Sequence, residues 1–402
     1  MVKRYIIVGV LVFAALHLRS QEPADSLFKK NTLNKTEIDL LYQHYIQDGN
    51  NSAVTGGVGT EKLRVYAPAI ALRKTFKERH TVGIDAGVDI ISSASTDNID
   101  FNVSSASILD ARSHINISYS QQLKNKDLSI SGGTGFSIES DYFSIPLNAA
   151  IHFGSKNRMR TYSFQVQAFF DDLRWGRLNS ENYRPVRLIY PQELRYREWF
   201  DIHNRYSYNF RFGFTQTLNK RNILGIFPEF AYQRGLLSTP FHRVYFNNGE
   251  LRVENLPNVR NKASLGIRLN SFVGGMTILK NELDFYIDDF GVAGLALANE
   301  TAFKLNELFS VAPFFRFYIQ NGSKYFAPYR EHTIDKTFYT SDYDLSGFIT
   351  YKAGMNFRYA PFRYVYKKAA FNELQLRYAF FYRNNQLRAH IISIVIKTAF
   401  GS

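Results

Sequence analysis

Carboxylate side chains cluster at two places in the second half of the chain and offer the clearest binding chemistry in the sequence. They are Asp284, Asp288, Asp289, Asp342 and Asp344. Hard cations take carboxylate oxygens as ligands, and both clusters lie at or near links between patterned segments. The spacing therefore predicts a cation site in the extracellular loops, with Ca²⁺ as the candidate ion. The alternative is that these carboxylates form ion pairs across the interior with Lys280, Arg316 and Arg377.

Histidine and cysteine, which often serve metal-assisted or nucleophilic catalysis, form no catalytic pattern. The nine histidines are scattered, and none has a second histidine four residues away with an attendant glutamate, as zinc proteases require. Cysteine is absent, which excludes disulfides, thiolate metal sites and a lipid-modified cysteine. His390 and Ser393 have opposite parity, so they are not expected to form a dyad. We expect no enzymatic activity and no bound cofactor other than the Ca²⁺ considered above.

Polar and apolar side chains alternate along many segments. Across residues 205–217, for example, one parity carries tyrosine and phenylalanine, while the other carries serine, asparagine, arginine, glycine and threonine. A period of two places these sets on opposite faces of a strand, and it fits a barrel with a lipid face and a wet lumen. The residues predicted to line the lumen are Gln165, Gln167, Arg211, Lys280, Glu282, Asp284, Arg316, Glu373 and Arg377.

Two of these arginines are expected to lie opposite carboxylates of neighbouring strands. They are Arg316 and Arg377, and the candidate partners are Glu282, Asp284, Glu300 and Glu373. An arginine on the lipid face near the membrane midplane would cost about 2 to 4 kcal/mol. The inward orientation is therefore the prediction.

Sixteen alternating segments can be counted between residues 37 and 400, and the last of them is residues 387–400. An even number of long strands joined by alternately short and long links is typical of barrels with short periplasmic turns and long extracellular loops. The sequence therefore predicts an all-β fold, a single transmembrane antiparallel up-and-down barrel of about 16 strands (14 to 16). The first segment, residues 37–46, is compatible with either strand or helix. Asn-Gly in the run YFNNGE predicts a hairpin within one long loop.

The composition favours a membrane barrel over a nucleic-acid-binding protein. Aromatic residues make up 16% of the 402 residues, with 35 Phe and 26 Tyr. A barrel uses such residues on its lipid face and in its interfacial girdles. The net charge of +14 is spread along the chain rather than gathered in one tract. The expected partners are outer-membrane lipid and lipopolysaccharide, and nucleic acid is not expected.

The two ends of the chain carry the patterns of export and assembly signals. Residues 1–20 combine Lys3 and Arg4 with an apolar run and end in the small residue Ser20, which indicates a cleavable signal peptide. A periplasmic tail, residues 21–36, would precede a barrel at residues 37–400, and residues 401–402 are interpreted as a cloning scar. A last strand ending in Phe400 resembles the C-terminal signal that such barrels present to the barrel assembly machinery.

Four short motifs, taken in order, resemble those of a known family. They are QDGNNSAVTGGVGTE at residues 47–61, SSAS at 92–95, YIDDFG at 286–291 and YTSDYDLSGF at 339–348. They are similar to a family of Gram-negative outer-membrane proteins of about this length, which is known as a domain of unknown function. The resemblance covers nearly the whole mature chain and implies an outer-membrane β-barrel. It implies no catalytic or ligand-binding residues.

These features favour a pore or transport channel for small solutes in the outer membrane. The alternative is a non-enzymatic barrel subunit of a larger outer-membrane complex for protein assembly, export or uptake, which would bind other outer-membrane proteins. A barrel hydrolase is the third and least supported interpretation.

Signal cleavage after Ser20 can be measured directly. We expect the mature protein to begin at Gln21, because the apolar run at residues 5–18 is too short to remain as a transmembrane helix. Intact-mass spectrometry of the outer-membrane fraction will report the N-terminus. A chain that retains Met1 there would contradict the prediction.

Overall fold

The structure is a computed structural model, and it describes residues 34–93, 109–123, 127–139, 142–173, 204–239, 242–361, 363–366 and 369–401. The strands are β1 (Lys35–Asp48), β2 (Leu63–Phe76), β3 (His80–Ser93), β4 (Leu109–Gln122), β5 (Leu128–Ile138), β6 (Phe143–Gly154), β7 (Arg160–Asp172), β8 (Asn204–Thr217), β9 (Asn222–Gly235), β10 (Arg243–Tyr245), β11 (Leu251–Val253), β12 (Val259–Val273), β13 (Thr277–Asp288), β14 (Ala293–Lys304), β15 (Phe309–Gln320), β16 (Phe348–Tyr359), β17 (Arg363–Tyr366), β18 (Ala369–Arg383) and β19 (Leu387–Gly401). Within these ranges, no helix is both long and apolar enough to cross a membrane.

Sixteen long strands among the described residues form one closed wall. Each pairs antiparallel with its neighbour in sequence, apart from two places where short elements intervene and β9 pairs with β12 and β16 with β18. The first and last strands close the ring, with Lys35 opposite Gly401 and Asp48 opposite Arg388. The short strand β17 pairs with β18, and β10 and β11 form a separate hairpin. The predicted fold is confirmed.

Two features of the strands are decided only by the tertiary structure. The first segment, which was compatible with strand or helix, is the strand β1, because it is held between β2 and β19. The strand β16 begins only at Phe348, since Tyr343–Leu345 form a 3-10 turn whose preceding Asp342 accepts a hydrogen bond from the backbone N of Asp344. The signal peptide and most of the predicted tail lie outside the described residues.

Among the described residues, every long link lies at one end of the wall, whereas short links occur at both ends. One end, called here the turn end, carries the links 77–79, 155–159, 218–221, 274–276 and 305–308. The other, the loop end, carries 49–62, 236–258, 289–292, 321–347 and 384–386. In the turn-end link 274–276, Gly274 and Gly275 have φ of 58° and 82°. Two consecutive positive φ values match the twist of a hairpin, and glycine adopts them without steric cost.

Three links at the loop end pack together as a loop cluster, defined as residues 49–62, 236–258 and 321–347. Its centre is a small core of Val244, Phe246 and Tyr339, each at most 1% exposed. The predicted YFNNGE hairpin is present as β10 and β11. Backbone hydrogen bonds of 2.8 and 3.1 Å between Asn255 and Tyr339 join the two longest of these links.

Three of the four family-like motifs meet at this loop cluster. A Cβ placed on Gly57, in the first motif, would lie 2.8 Å from the carbonyl oxygen of Ser341 in the last, so the two backbones are in close contact. Phe290, in the third motif, is buried, and its carbonyl accepts a hydrogen bond of 3.0 Å from the Ser323 hydroxyl. Of the second motif, only residues 92 and 93 are described, at the end of β3.

The two faces of β19 allow a paired test of orientation. Ile394 lies beside Tyr42 and Leu376 on the apolar face, whereas Ser393 lies between Gln43 and Arg377 on the polar face. Ile394→Asp should destabilise the barrel by about 2 kcal/mol, because it sets a carboxylate against lipid. Ser393→Asp should assemble normally, since its carboxylate would lie beside Arg377. Heat-modifiable migration on semi-native gels will report both, and the reverse result would mean that the two faces are assigned backwards.

Candidate functional site

Ion pairs that skip strands identify the inner face of the wall. Arg377 on β18 donates to Glu300 on β14 at 2.8 Å, although β15 and β16 lie between these strands. Arg316 on β15 reaches Asp284 on β13 at 3.4 Å, across β14. Side chains on the outside of a closed cylinder diverge, so contacts across several strands form only on its concave face. Both arginines therefore point into the lumen, and their carboxylate partners lie beyond the neighbouring strands on which the sequence placed them.

Further ion pairs join these two into a network on the inner face of β12–β16 and β18. Glu300 also accepts from the Nζ of Lys280 at 2.8 Å, so one carboxylate holds two cations. Arg268 donates to Glu282 at 2.9 Å from one amino group and at 3.0 Å from Nε. Charge-assisted bonds of this length restrain long side chains that would otherwise move freely in water.

A cavity of about 430 Å³ opens beside this network. Its charged lining residues are Arg268, Lys280, Glu282, Glu300, Arg316, Lys352 and Arg377. Among the described residues, Lys352 has no carboxylate within ion-pair distance, whereas both acids of the lining are paired. The cavity wall is therefore positively charged overall.

Two arginines of this network lie over aromatic rings of the inner wall. The guanidinium of Arg377 lies 3.8 Å from the ring centroid of Phe314, and that of Arg268 lies 4.9 Å from that of Phe227. Guanidinium groups stack favourably on aromatic faces while their edges stay free to donate hydrogen bonds. The stacked arginines keep donors directed into the cavity.

The opposite part of the inner wall is polar and carries fewer charges. A second cavity, of about 460 Å³, has Asp89, Arg112, His114, Asn116, Asn148 and Gln167 among its lining residues. Gln165 has the same parity as Gln167 and pairs in register with Arg211 on β8. Arg211 in turn donates to Glu229 through Nε at 2.7 Å. These residues lie on the inner face that alternation assigned to them.

Glu373 lies near the turn end and is almost fully buried by its partners. Arg358 donates to it at 2.6 Å, Lys397 lies 3.1 Å away, and Gln375 donates to its other oxygen. It is therefore an anchor between β16, β18 and β19 rather than an open lumen group.

The five aspartates predicted to bind a cation are distributed among separate partners. Asp284 pairs with Arg316, Asp288 with Arg260, and Asp344 with Arg383. Asp289 accepts from the backbone and side-chain nitrogens of Asn261, at 2.9 Å each. The structure does not bring the five together, because arginines on β12, β15 and β18 pair separately with three of them.

Only Asp342 of that set joins a group of potential metal ligands. In the part of the chain that the structure describes, one such group occurs, His242, Glu254 and Asp342, whose ligand atoms lie within 4.8 Å of one another. Burial alone would lower the pKa of His242, but the carboxylates of Glu254 and Asp342 raise it above its ordinary value. Glu254 also accepts from the backbone N of Thr239 at 2.6 Å and from the Thr340 hydroxyl at 2.5 Å. This group joins the two longest links of the loop cluster through a histidine that lies between two carboxylates.

Sequence reasoning missed several lumen residues that the same alternation could have identified. Arg268, Lys352 and Phe314 share the inward parity of their strands, and two of the three are charged. The His242 group had no local signal, because its members come from segments that are far apart in sequence. Phe400, the predicted assembly signal, pairs with Thr36 and Ala369 on the outward parity, and its role stays a prediction.

A comparison of the sequence with models of protein families identifies the family of this chain. Residues 101–385 match the model described as Protein of unknown function (DUF3570). The chain belongs to this family. The resemblance to a family of unknown function that the motifs indicated is thereby confirmed. A comparison with curated proteins finds no match.

Solved structures similar to this DUF3570 chain are outer-membrane barrels. OccK1 (OpdK) of Pseudomonas aeruginosa is 8% identical with a TM-score of 0.41, and the match covers 92% of this chain and 99% of that one. A BenF-like porin from Pseudomonas fluorescens Pf-5 is 8% identical with a TM-score of 0.43, covering 94% and 100%. The TodX monoaromatic hydrocarbon channel, as a deltaS2 mutant, is 11% identical with a TM-score of 0.37, covering 93% and 91%.

Glu61, in the loop cluster, is the carboxyl most clearly perturbed outside the wall. Its Oε2 is buried and has no hydrogen-bond partner among the described residues. Burial raises the pKa of Glu61 to about 7, against the opposing effect of Arg383, and Asp344 and Asp342 raise it further. The neutral carboxyl is therefore the form that this packing favours.

This shift predicts that the loop cluster loosens as the pH rises. A raised pKa contributes stability that is fully present below the ordinary value of 4.5 and is lost as the pH passes about 7. With allowance for solvent screening, we expect a loss of about 1 to 2 kcal/mol in the local stability of residues 49–62. Limited proteolysis of this link at pH 5 and pH 8 will measure it.

Two variants test whether Glu61 causes this pH dependence. They are Glu61→Gln and, as a control in the exposed turn at the other end of the wall, Glu78→Gln. Glu61→Gln should remove the pH dependence of cleavage, whereas Glu78→Gln should leave it unchanged. Equal pH dependence in Glu61→Gln and in the unmodified protein would show that another group is responsible.

Proposed function

We propose that this protein is an outer-membrane pore for small hydrophilic solutes and that it prefers anions. The observation that carries the proposal is a closed wall of sixteen strands enclosing a charged, positively biased cavity. Barrels of sixteen strands are wide enough to leave an aqueous channel. A lumen lined by fixed cations raises the local concentration of anions.

The outer membrane is the proposed location because of the contrast between the two faces. Outward positions carry exposed aliphatic and aromatic side chains such as Ile151, Phe212 and Leu297, while the inner positions carry the charges described above. Lipid would cover such an exterior, and lipopolysaccharide and the barrel assembly machinery are the proposed partners of a barrel of this class. The apolar side chains would otherwise be exposed to water along the whole wall.

A hydrolase is not proposed. His390 is exposed on the outward face and accepts or donates a 2.9 Å hydrogen bond with the hydroxyl of Tyr378, whereas Ser393 has the opposite parity. A nucleophile and its base must lie within hydrogen-bond reach, which these two residues do not satisfy. We infer a non-enzymatic role.

Lys352 offers the sharpest test of anion preference. Its ammonium lines the cavity with no carboxylate partner in the described part of the chain, so Lys352→Glu should reverse the local charge and lower the anion-to-cation permeability ratio. A change of about one kT in local potential alters that ratio roughly threefold or more. Reversal potentials of the purified protein in planar bilayers under a salt gradient will measure it.

The control makes the same charge change outside the lumen. Lys156→Glu, in the turn-end link 155–159, should leave the reversal potential unchanged. A protein that inserts but conducts no ions, or a Lys352→Glu variant with unchanged selectivity, would contradict the proposed pore.

A further inference from the structure

The outward face of β13 and β14 carries polar side chains at a depth where the wall is otherwise apolar. Asn281 follows the inward Lys280, and Asn299 precedes the inward Glu300, so alternation turns both amides outward. They are register partners, and the exposed Phe315 on β15 pairs with Asn299 on the same face. Thr301 shares this face two residues further along β14.

Hydrogen bonds join these three side chains into one polar group, called here the amide patch (Asn281, Asn299 and Thr301). The Asn299 Nδ2 donates to the Asn281 Oδ1 at 2.8 Å, and the Thr301 hydroxyl donates to the Asn299 Oδ1 at 2.9 Å. The Asn281 Nδ2 has only a long contact of 3.5 Å with the carbonyl of Leu269. Each amide nitrogen carries two N–H donors, so the patch keeps N–H groups with no acceptor among the described residues.

The amide patch lies within the apolar belt rather than at its rim. Asn299 lies near the middle of Ala293–Lys304, with Leu297 and Phe303 on the same face at either side. Leu297 is 54% exposed and Phe303 is 42% exposed. Leu283 on β13 pairs with Leu297 and continues the apolar surface towards the loop end.

Contact with lipid hydrocarbon is unfavourable for the amide patch. Lipid chains accept no hydrogen bonds, so N–H donors that face them stay unsatisfied. Polar side chains at comparable depth instead join protein surfaces, where the opposite surface supplies the missing partner. By contrast, the hydroxyl of Thr134, another outward polar group, is satisfied within its own wall by the Pro146 carbonyl at 3.0 Å.

We propose that the outward face of β13 and β14 is the interface of a homodimer, with a second copy of this chain as its occupant. A carboxamide is both donor and acceptor, so two amide patches can satisfy each other. A two-fold axis parallel to the membrane normal places identical residues at identical depth, which brings the second patch to the required level automatically. A different protein would need a polar group of its own at that depth. The inference does not depend on which solute passes through the lumen.

Single cysteines can test the interface in place, because the natural chain has none. Leu283→Cys and Leu297→Cys flank the amide patch, and Leu147→Cys, on β6, is a control on an outward position that is 46% exposed. Each variant is oxidised with copper phenanthroline in intact outer membranes and run on non-reducing gels. We expect a disulfide-linked dimer for one or both of the flanking variants and none for Leu147→Cys.

The role of the amides themselves is tested in the same background. Asn281→Leu combined with Asn299→Leu should abolish the dimer band while the barrel still shows heat-modifiable migration, since leucine is compatible with lipid. A barrel that stays monomeric at both flanking cysteines would overturn the proposal. Equal crosslinking at Leu147→Cys, a dimer that survives the double substitution, or a crosslink to a different protein by mass spectrometry would also overturn it.

Discussion

The hydrogen-bonded closure between β19 and β1 is the interaction on which the rest of this structure depends. Backbone N–H and C=O groups find no partners in hydrocarbon, so a sheet can lie in a membrane only if it has no free edge. Here the register from Lys35 opposite Gly401 to Asp48 opposite Arg388 removes both edges over the full length of the strands. Once the ring is closed, alternate residues must face lipid or lumen, and the links must leave at the two ends.

Closure of the ring also determines which side chains can meet in the lumen. Polar side chains on the concave face converge, which allows Glu300 to hold Lys280 and Arg377 from two other strands. These pairs are accessible to water, so each one stabilises the fold only modestly, by roughly 0 to 1 kcal/mol. Their larger effect is to fix where charge lies in the lumen. The arginines stacked on Phe227 and Phe314 have the same effect, since a restrained cation produces a defined electrostatic field in the lumen.

The loop cluster is organised differently from the wall. It has a small core of its own, and buried polar groups such as Glu254 and Thr340 join links that are distant in sequence. The motifs that resemble the DUF3570 family lie largely in or beside this cluster. Alternating strands can be built from many sequences of the right period, whereas a close contact such as that between Gly57 and Ser341 tolerates few side chains.

The sequence by itself determined most of the long strands, their approximate number and the alternation of the two faces, because a period of two is a local property that each strand displays independently. It also indicated that Arg316 and Arg377 have carboxylates as partners, since both lie among acids of the same parity on nearby strands. Which acid each arginine reaches depends on the stagger of several strands around the ring, and only the tertiary structure decided it. The cation site predicted from Asp284, Asp288, Asp289, Asp342 and Asp344 was not assembled for the same reason. Clustering in sequence does not specify which links meet at the loop end, and there Asp342 lies with His242 and Glu254 while Arg260 and Arg383 hold Asp288 and Asp344.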